Sequence, residues 1–390
     1  MTLSLYIQAF SQITCLEDDL KGILTKDQSG MILRDDIVFG RSLRFGTIRA
    51  DMLPQIPEGF SNLACNRLTL YCLSELKNEI DELLDRYGKH RVGVIVGSSN
   101  AGILETQAAA QAFVDHGRFP DWFGTQVLDM GLPSNFIAEY TGIAGPAYTI
   151  STACTSSAKA FKVACRLIDA GACDAVIAGG IDPLATFACN GFYALEALSE
   201  GYSNPLSKNR DGITIGEAGA LFIVSREKSG FCIAGIGETS DAHHMTAPSP
   251  YGEYAAEAMR LALQEAGIKP QDIGYVNLHG TGTKHNDAAE SRAVYDVFGG
   301  DVPCSSSKPI IGHTLGASGA AELAHCCLLL DRRLNPEKKI PPHPWDGSID
   351  NDIAPIHISD GSSVLDMKYV ISNSFAFGGS NVSMVLRCEA

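Results

Sequence analysis

Apolar and polar positions along the chain follow two alternating periods. From Ser61 to Tyr87, the residues Leu63, Leu70, Leu73, Leu76, Ile80, Leu83 and Leu84 recur at helical spacing and stop at Gly88, which predicts one long amphipathic helix. The run Val92-Gly-Val-Ile-Val96 is short, apolar and rich in β-branched residues, as expected of a strand buried on both faces. The alternation returns with a helix over Ser157 to Ala170 closed by Gly171, then a strand from Asp174 to Ala178. It returns again with a helix from Tyr254 to Ala266 stopped by Gly267, then a strand from Tyr275 to Leu278. Such alternation predicts an α/β protein with mostly parallel, buried sheets.

Two pairs of segments hint at an internal repeat. Gly216-Glu-Ala-Gly-Ala-Leu-Phe-Ile-Val-Ser-Arg226 resembles Gly378-Gly-Ser-Asn-Val-Ser-Met-Val-Leu-Arg387, each a glycine turn feeding an apolar strand that ends in arginine. Ser151-Thr-Ala-Cys-Thr-Ser-Ser-Ala and Gly312-His-Thr-Leu-Gly-Ala-Ser-Gly precede them at similar offsets, each a turn entering a small-residue helix. Together they predict two related halves, 1–232 and 233–390.

Composition narrows the classes. At 390 residues the chain holds two to three units of roughly 150 residues, and 45% apolar against 19% charged residues supplies a large core. Thirty basic against 45 acidic residues give a net charge of −15, which disfavours nucleic acid as a partner. No apolar run approaches the roughly 18 residues of a membrane span, and the first basic residue is Lys21, so a cytoplasmic protein is expected. The twelve cysteines include no C-x-x-C pair, a pattern of reduced thiols rather than a disulfide framework or a zinc site.

One cysteine stands apart. Cys154 follows the β-favouring stretch 147–152 and precedes a small-residue helix. There the field of a helix N-terminus favours thiolate, and neighbouring N–H groups can receive an oxyanion. The ordinary alternative is an inert buried thiol, the reading given to Cys165, Cys173, Cys326 and Cys327. His279 ends a predicted strand and enters the loop Gly280-Thr-Gly-Thr283, the usual place for functional groups in α/β sheets, although a turn histidine bound to backbone fits equally well. Lys308-Pro-Ile-Ile-Gly-His313 leads into a small-residue segment ending at Glu322. If a helix begins near His313, Glu322 lies near the same face and Lys308 can pair with it, as a structural ion pair or as part of a site. His243, His244 and His285 form no metal-ligand spacing, though His244 can line a cleft.

The set Thr-Ala-Cys154-Thr-Ser, His279-Gly-Thr-Gly-Thr, Lys308-x-x-x-Gly-His313-x-x-Gly-Ala-x-Gly and Asn373-Ser-Phe-Ala-Phe-Gly-Gly379 resembles the elongating β-ketoacyl-acyl carrier protein synthases. The similarity runs from about Val92 to the C-terminus and includes Ser207-Lys-Asn-Arg-Asp-Gly212 and Asp241-Ala-His-His-Met-Thr246. It implies the thiolase fold, two βαβαβαββ-type halves stacked as five αβαβα layers and normally dimeric. It implies Cys154 as nucleophile, His279 and His313 completing a Cys-His-His set, and Lys308 and Glu322 in support. Phe377 matches the gating phenylalanine, whose N–H joins that of Cys154 in an oxyanion hole, and Thr281, Thr283 and Phe375 match substrate contacts. The implied reaction joins an acyl chain to malonyl-acyl carrier protein with loss of carbon dioxide. It needs no cofactor beyond the phosphopantetheine that the carrier brings.

The chain departs from the family pattern at three places. Leu3-Ser-Leu-Tyr-Ile-Gln-Ala-Phe lacks a Gly-rich first turn, Gly216-Glu-Ala-Gly is one glycine short, and Ala376 stands where glycine is usual. These departures look more like ketosynthases of aryl-polyene or type II polyketide clusters than like housekeeping fatty-acid enzymes. The rivals are a non-catalytic chain-length-factor subunit, which typically lacks the cysteine, and a thiolase, which uses Cys-His-Cys with coenzyme A. The partners implied are an acyl carrier protein and either a second copy or a chain-length-factor-like subunit. Because the carrier is acidic like this chain, docking needs a local basic patch, for which Arg67 and the segment Arg41, Arg44 and Arg49 are candidates.

Overall fold

The computed structural model describes residues 4–389, so Leu3, where the first departure begins, lies outside the described residues. The first half of the chain runs β1 (Leu5–Ile13), α1 (Asp19–Thr25), β2 (Met31–Arg34), β3 (Leu43–Gly46), α2 (Ala64–Glu75), α3 (Lys77–Tyr87), β4 (Val92–Gly97) and α4 (Ile103–His116). It continues through α5 (Leu132–Thr141), β5 (Ala147–Ile150), α6 (Ser156–Asp169), β6 (Ala175–Asp182), α7 (Thr186–Ala194) and β7 (Ala218–Ser225). The second comprises β8 (Phe231–Ser240), α8 (Glu253–Ala266), β9 (Ile273–Asn277), α9 (Lys284–Phe298), β10 (Pro303–Ser305) and α10 (Lys308–Ile311). It ends with α11 (Ser318–Leu330), β11 (His357–Ile358), β12 (Tyr369–Phe375) and β13 (Ser380–Cys388).

The strands order as β11-β10-β9-β12-β13-β8-β1-β7-β6-β4-β5. Read outward from the centre, β1-β7-β6-β4-β5 and β8-β13-β12-β9-β10 have the same topology, with β11 added at one edge. The repeated segments seen in the sequence therefore occupy equivalent places: β7 matches β13, and the turn into α6 matches the turn into α11. The halves meet where Leu5, Tyr6 and Ile7 of β1 pair with Ile233, Cys232 and Phe231 of β8. A division at 232 cuts β8, so the joint lies earlier, in the turn after Ser225.

Layering follows from burial. α11 is apolar apart from Ser318, Glu322 and His325 and is buried at every residue except Leu328, because it packs between the two half-sheets. Its apolar residues join those of α6 and the inner faces of both half-sheets in one core, including Phe161, Phe222, Leu323 and Val382. A second core lies under α2, α3 and α5, with Leu68, Leu73 and Ile137. A third lies under α8 and α9, with Met259, Leu263 and Val294. Helices outside, sheets within and two helices at the centre make the αβαβα stack.

Two sequence expectations change. The helix expected over 61–87 is two helices that meet at Leu76, whose backbone (φ −102°, ψ 10°) leaves helical geometry. Just before the break the Ser74 hydroxyl donates to the Leu70 carbonyl at 2.7 Å, a back-bond that bends helices. No helix starts at His313. The chain there pairs with Thr214–Gly216 through His313 N–H to the Thr214 carbonyl (2.7 Å) and Gly216 N–H to the His313 carbonyl (3.0 Å), and α11 begins at Ser318.

Candidate active site

The site lies where loops leave the C-terminal ends of β4, β5, β6, β9, β10 and β12, the end at which open α/β sheets gather function. Small residues let the loops crowd together. A Cβ on Gly97 would stand 2.1 Å from the Ser157 nitrogen, and one on Gly180 would stand 2.5 Å from the Ser157 Cβ. Ala153 is held in the left-handed region (φ 52°), so the chain turns sharply just before Cys154 and presents the side chain at the mouth of α6. Leu315 (φ 48°) makes the matching sharp turn after His313.

These turns bring Cys154 Sγ within 3.0 Å of His313 Nε2. The His279 and His313 rings meet edge to face with centroids 5.2 Å apart, and donor atoms of all three residues lie within 4.8 Å of one another. Burial, then the charge of Lys308, holds both imidazoles well below their ordinary 6.5, so both are neutral. Among the described residues neither Nδ1 has a hydrogen-bond partner, which leaves each ring free to take the tautomer a ligand requires. Glu290 accepts the N–H groups of His279 and Gly280, both at 2.7 Å, and fixes the His279 turn.

The thiolate expected of a helix N-terminus is not the resting state. Burial pushes the Cys154 thiol up to about 12, outweighing the downward pull of Lys308 and of the backbone N–H groups of Phe377 and Cys154. The resting site thus holds a neutral thiol in contact with a neutral imidazole. That pair can pass a proton from sulfur to His313 as the sulfur attacks, and the two N–H groups beside the sulfur can receive an oxyanion.

Lys308 and Glu322 form a buried ion pair, 1% exposed on each side, and the Ser318 hydroxyl adds a bond to the same carboxylate at 3.3 Å. Phe375 packs against His279 with centroids 6.1 Å apart, and Phe377 lies against Phe192 at 5.8 Å. Ala376 does not adopt a positive φ. Gly378 (φ 83°) and Gly379 (φ 78°) carry that demand, so the alanine costs the turn nothing.

Cys154, His279 and His313 line a cavity of about 700 Å³ together with Thr281, Thr283 and Phe377. Its wall also holds His244, as expected of a cleft residue, and Arg210, Lys284 and His285. The docking candidates fare differently. Arg67 is half-buried, lies outside this cavity, and donates to the carbonyls of Ala50 (3.0 Å) and Leu53 (3.4 Å), so it braces a loop. Arg41 pairs with Glu200, Arg49 with Glu17 and Asp51, and Arg44 lies 4.5 Å over the Tyr202 ring. Sequence reasoning passed over Asp182, Glu290 and Phe192, which carry no local motif, and gave Arg210 no role of its own.

Residues 67–229 match the model of the beta-ketoacyl synthase N-terminal domain and residues 231–339 that of the C-terminal domain. The 3-oxoacyl-(acyl-carrier-protein) synthase 2 of Staphylococcus aureus is 31% identical over 345 residues, covering 83% of this chain and 84% of the relative. The enzyme of the same name from Vibrio cholerae is 32% identical over 318 residues, 76% of each. Among solved structures, the ketosynthase ApeO of Xenorhabdus doucetiae, in complex with its chain length factor ApeC, superposes with a TM-score of 0.94 at 40% identity, covering 99% of this chain and 98% of that one. Repeated half-sheets, a cysteine touching one of two histidines and these matches agree: the chain belongs to the β-ketoacyl synthase family.

Proposed function

We propose that the protein is the catalytic ketosynthase of an elongation cycle, working on carrier-bound chains in an aryl-polyene or type II polyketide pathway. The contact of Cys154 with His313, beside His279 in the cavity, carries this reading. In the first half-reaction the Cys154 sulfur attacks a carrier thioester while His313 Nε2 takes its proton. The tetrahedral oxyanion sits against the N–H groups of Cys154 and Phe377, and the pantetheine thiol leaves with the proton.

In the second half-reaction His279 and His313 donate to the thioester oxygen of a malonyl unit. The carbon–carbon bond to the carboxylate breaks, carbon dioxide leaves, and the negative charge on that oxygen strengthens both hydrogen bonds as it grows. The carbanion attacks the acyl carbon, a 3-oxoacyl thioester forms, and the expelled Cys154 thiolate takes up one proton from solvent, the proton that the condensation consumes. Residues of the chain and the substrate's own decarboxylation supply all the chemistry. Phosphopantetheine enters as part of the substrate, its arm running past Thr281 and Thr283. Burial keeps both histidines neutral, and the charge of Lys308, held in place by Glu322, acts in the same sense.

A non-catalytic chain-length factor would have no use for a cysteine so placed, and a thiolase uses a Cys-His-Cys set, whereas this cavity is lined by a single cysteine, Cys154, with His279 and His313. The partners we assign are an acyl carrier protein and a second ketosynthase-type subunit, of the kind with which ApeO was solved. Two surfaces support a subunit partner: among the described residues the outer edge of β5 pairs with no strand, and Phe113, Phe119 and Trp122 lie exposed nearby in sequence. Among the described residues no helix is long and apolar enough to cross a membrane, and we place the enzyme in the cytoplasm, where twelve free thiols stay reduced. The test is acylation. Incubation with acyl-carrier protein should add one acyl mass to the wild type and none to Cys154→Ala, and acylation of the variant would remove Cys154 from the mechanism.

A further inference from the structure

Asp182 ends β6 within the site, 1% exposed, and the chemistry above does not use it. Among the described residues it has no cationic partner, and its carboxylate is surrounded by neutral donors. Oδ1 accepts from the Ser98 hydroxyl (2.6 Å) and the N–H groups of Ser99 (2.8 Å) and Asn100 (2.9 Å). Oδ2 accepts from Gly316 N–H at 2.6 Å and is 3.0 Å from the Ser99 nitrogen. The bonded segments come from opposite halves of the chain: residues 98–100 follow β4, and Gly316 follows His313.

Each segment is tied to a reacting group. The Ser99 hydroxyl donates to the carbonyl of Ala153 at 3.3 Å, the strained residue before the nucleophile. Gly316 is three residues past His313, beside the left-handed Leu315. Contact between the two segments is close, since a Cβ on Gly316 would stand 2.6 Å from the Ser99 nitrogen and 2.7 Å from Asp182 Oδ2. We infer that Asp182 is a positioning residue, a single carboxylate that locks the Cys154 turn to the His313 turn and sets the 3.0 Å sulfur–nitrogen contact.

Its negative charge has a second consequence. Burial dominates the thiol's acidity, and on top of it Lys308 favours ionisation of Cys154 while Asp182 opposes it. The titratable and charged groups facing Cys154 are Lys308, Asp182, His279 and His313, and Cys65 of α2 also feels the charge of Asp182. An amide in place of the carboxylate removes the charge. It also turns an NH₂ group toward N–H donors, so the clamp loosens as the thiol becomes more acidic.

The inference rests on Cys154 as the acylated nucleophile, and its test separates the two claims by reading the thiol directly. Iodoacetamide alkylation of Cys154 is followed against pH by mass spectrometry, beside steady-state condensation with acyl- and malonyl-carrier protein. Asp182→Asn should alkylate about tenfold faster near neutral pH, yet condense at least about tenfold more slowly in kcat with little change in KM. Asp182→Glu should restore part of kcat and the wild-type alkylation profile. Ser99→Ala, which removes only the tie to Ala153, should lower kcat with an unchanged alkylation profile, and it decides the matter if Asp182→Asn does not fold. Wild-type kcat in Ser99→Ala, or an unmoved alkylation profile in folded Asp182→Asn, overturns the inference. Failure of the wild type to acylate would instead overturn the ketosynthase reading.

Discussion

At the scale of single residues, reactivity here comes from burial outweighing local charge. Cys154 is raised to about 12 despite Lys308 and two N–H groups, so the nucleophile is made at the moment of attack by proton transfer to a neutral His313. Lys308 earns its own test because its pairing is buried. Lys308→Ala leaves Glu322 as an uncompensated buried charge and should cost about 3–5 kcal/mol in urea unfolding. The double change Lys308→Met with Glu322→Leu should recover most of that stability without restoring condensation. Glu290 titrates where pH matters: burial raises it from 4.5 to about 7. A raised carboxyl contributes stability that is fully present below its unfolded value and is lost as pH rises through the folded one. The stability of wild type relative to Glu290→Gln should therefore be greatest near pH 4 and shrink toward about pH 7, as read from urea midpoints across that range. The neutral histidines act in the opposite sense, their contribution being present above 6.5 and lost as pH falls below it. Cys154, His279 and His313 were legible in the sequence because strand-to-loop junctions leave a written signature of turns and small residues. Asp182 and Glu290 were not, since a lone acid gains its role only from N–H groups brought to it by the fold. The carbonyls that Arg67 braces were not legible either, since they belong to a loop that only the fold brings beside its helix.

At the scale of elements, glycine decides how near the two halves can come. A Cβ on Gly216 would stand 2.1 Å from the Ile311 carbonyl oxygen, on the backbone that carries His313. Gly216→Ala should cost about 1–3 kcal/mol by overpacking and lower kcat further by displacing His313. Gly191 in α7 has nothing within 4 Å of its Cβ position, so Gly191→Ala should be neutral or stabilise by about 0.5–1 kcal/mol, the two being compared by thermal unfolding. The glycine shortfall noted at 216 is thus less telling than the glycine that remains. Periodicity located the helices and buried strands well. It missed the break at Leu76, where the apolar rhythm runs on and only the hydroxyl of Ser74 marks the bend.

At the scale of the whole molecule, the doubled topology explains how one site draws on both halves: equivalent turns before α6 and α11 deliver Cys154 and His313 to each other. The offsets between repeated segments made that duplication legible. The joint between β1 and β8 was not, because pairing partners far apart in sequence leave no local pattern. Net charge matters here as well. A chain of −15 meets an acidic carrier only through local cations, and the exposed Lys284 and His285 at the cavity mouth are better placed than Arg67. Lys284→Glu should raise KM for acyl-carrier protein about threefold to tenfold at low salt with kcat unchanged, and Arg67→Glu should leave KM alone.

The central claim is that a neutral Cys154 thiol, activated by His313, takes up a carrier-bound acyl chain and gives it to a decarboxylating malonyl unit. Intact-mass spectrometry in two steps tests it most directly. Acyl-carrier protein should add one acyl group to Cys154, and malonyl-carrier protein should then remove it as 3-oxoacyl-carrier protein lengthened by two carbons. An acyl group on any other residue, or an acyl-Cys154 that malonyl-carrier protein fails to discharge, would contradict the account.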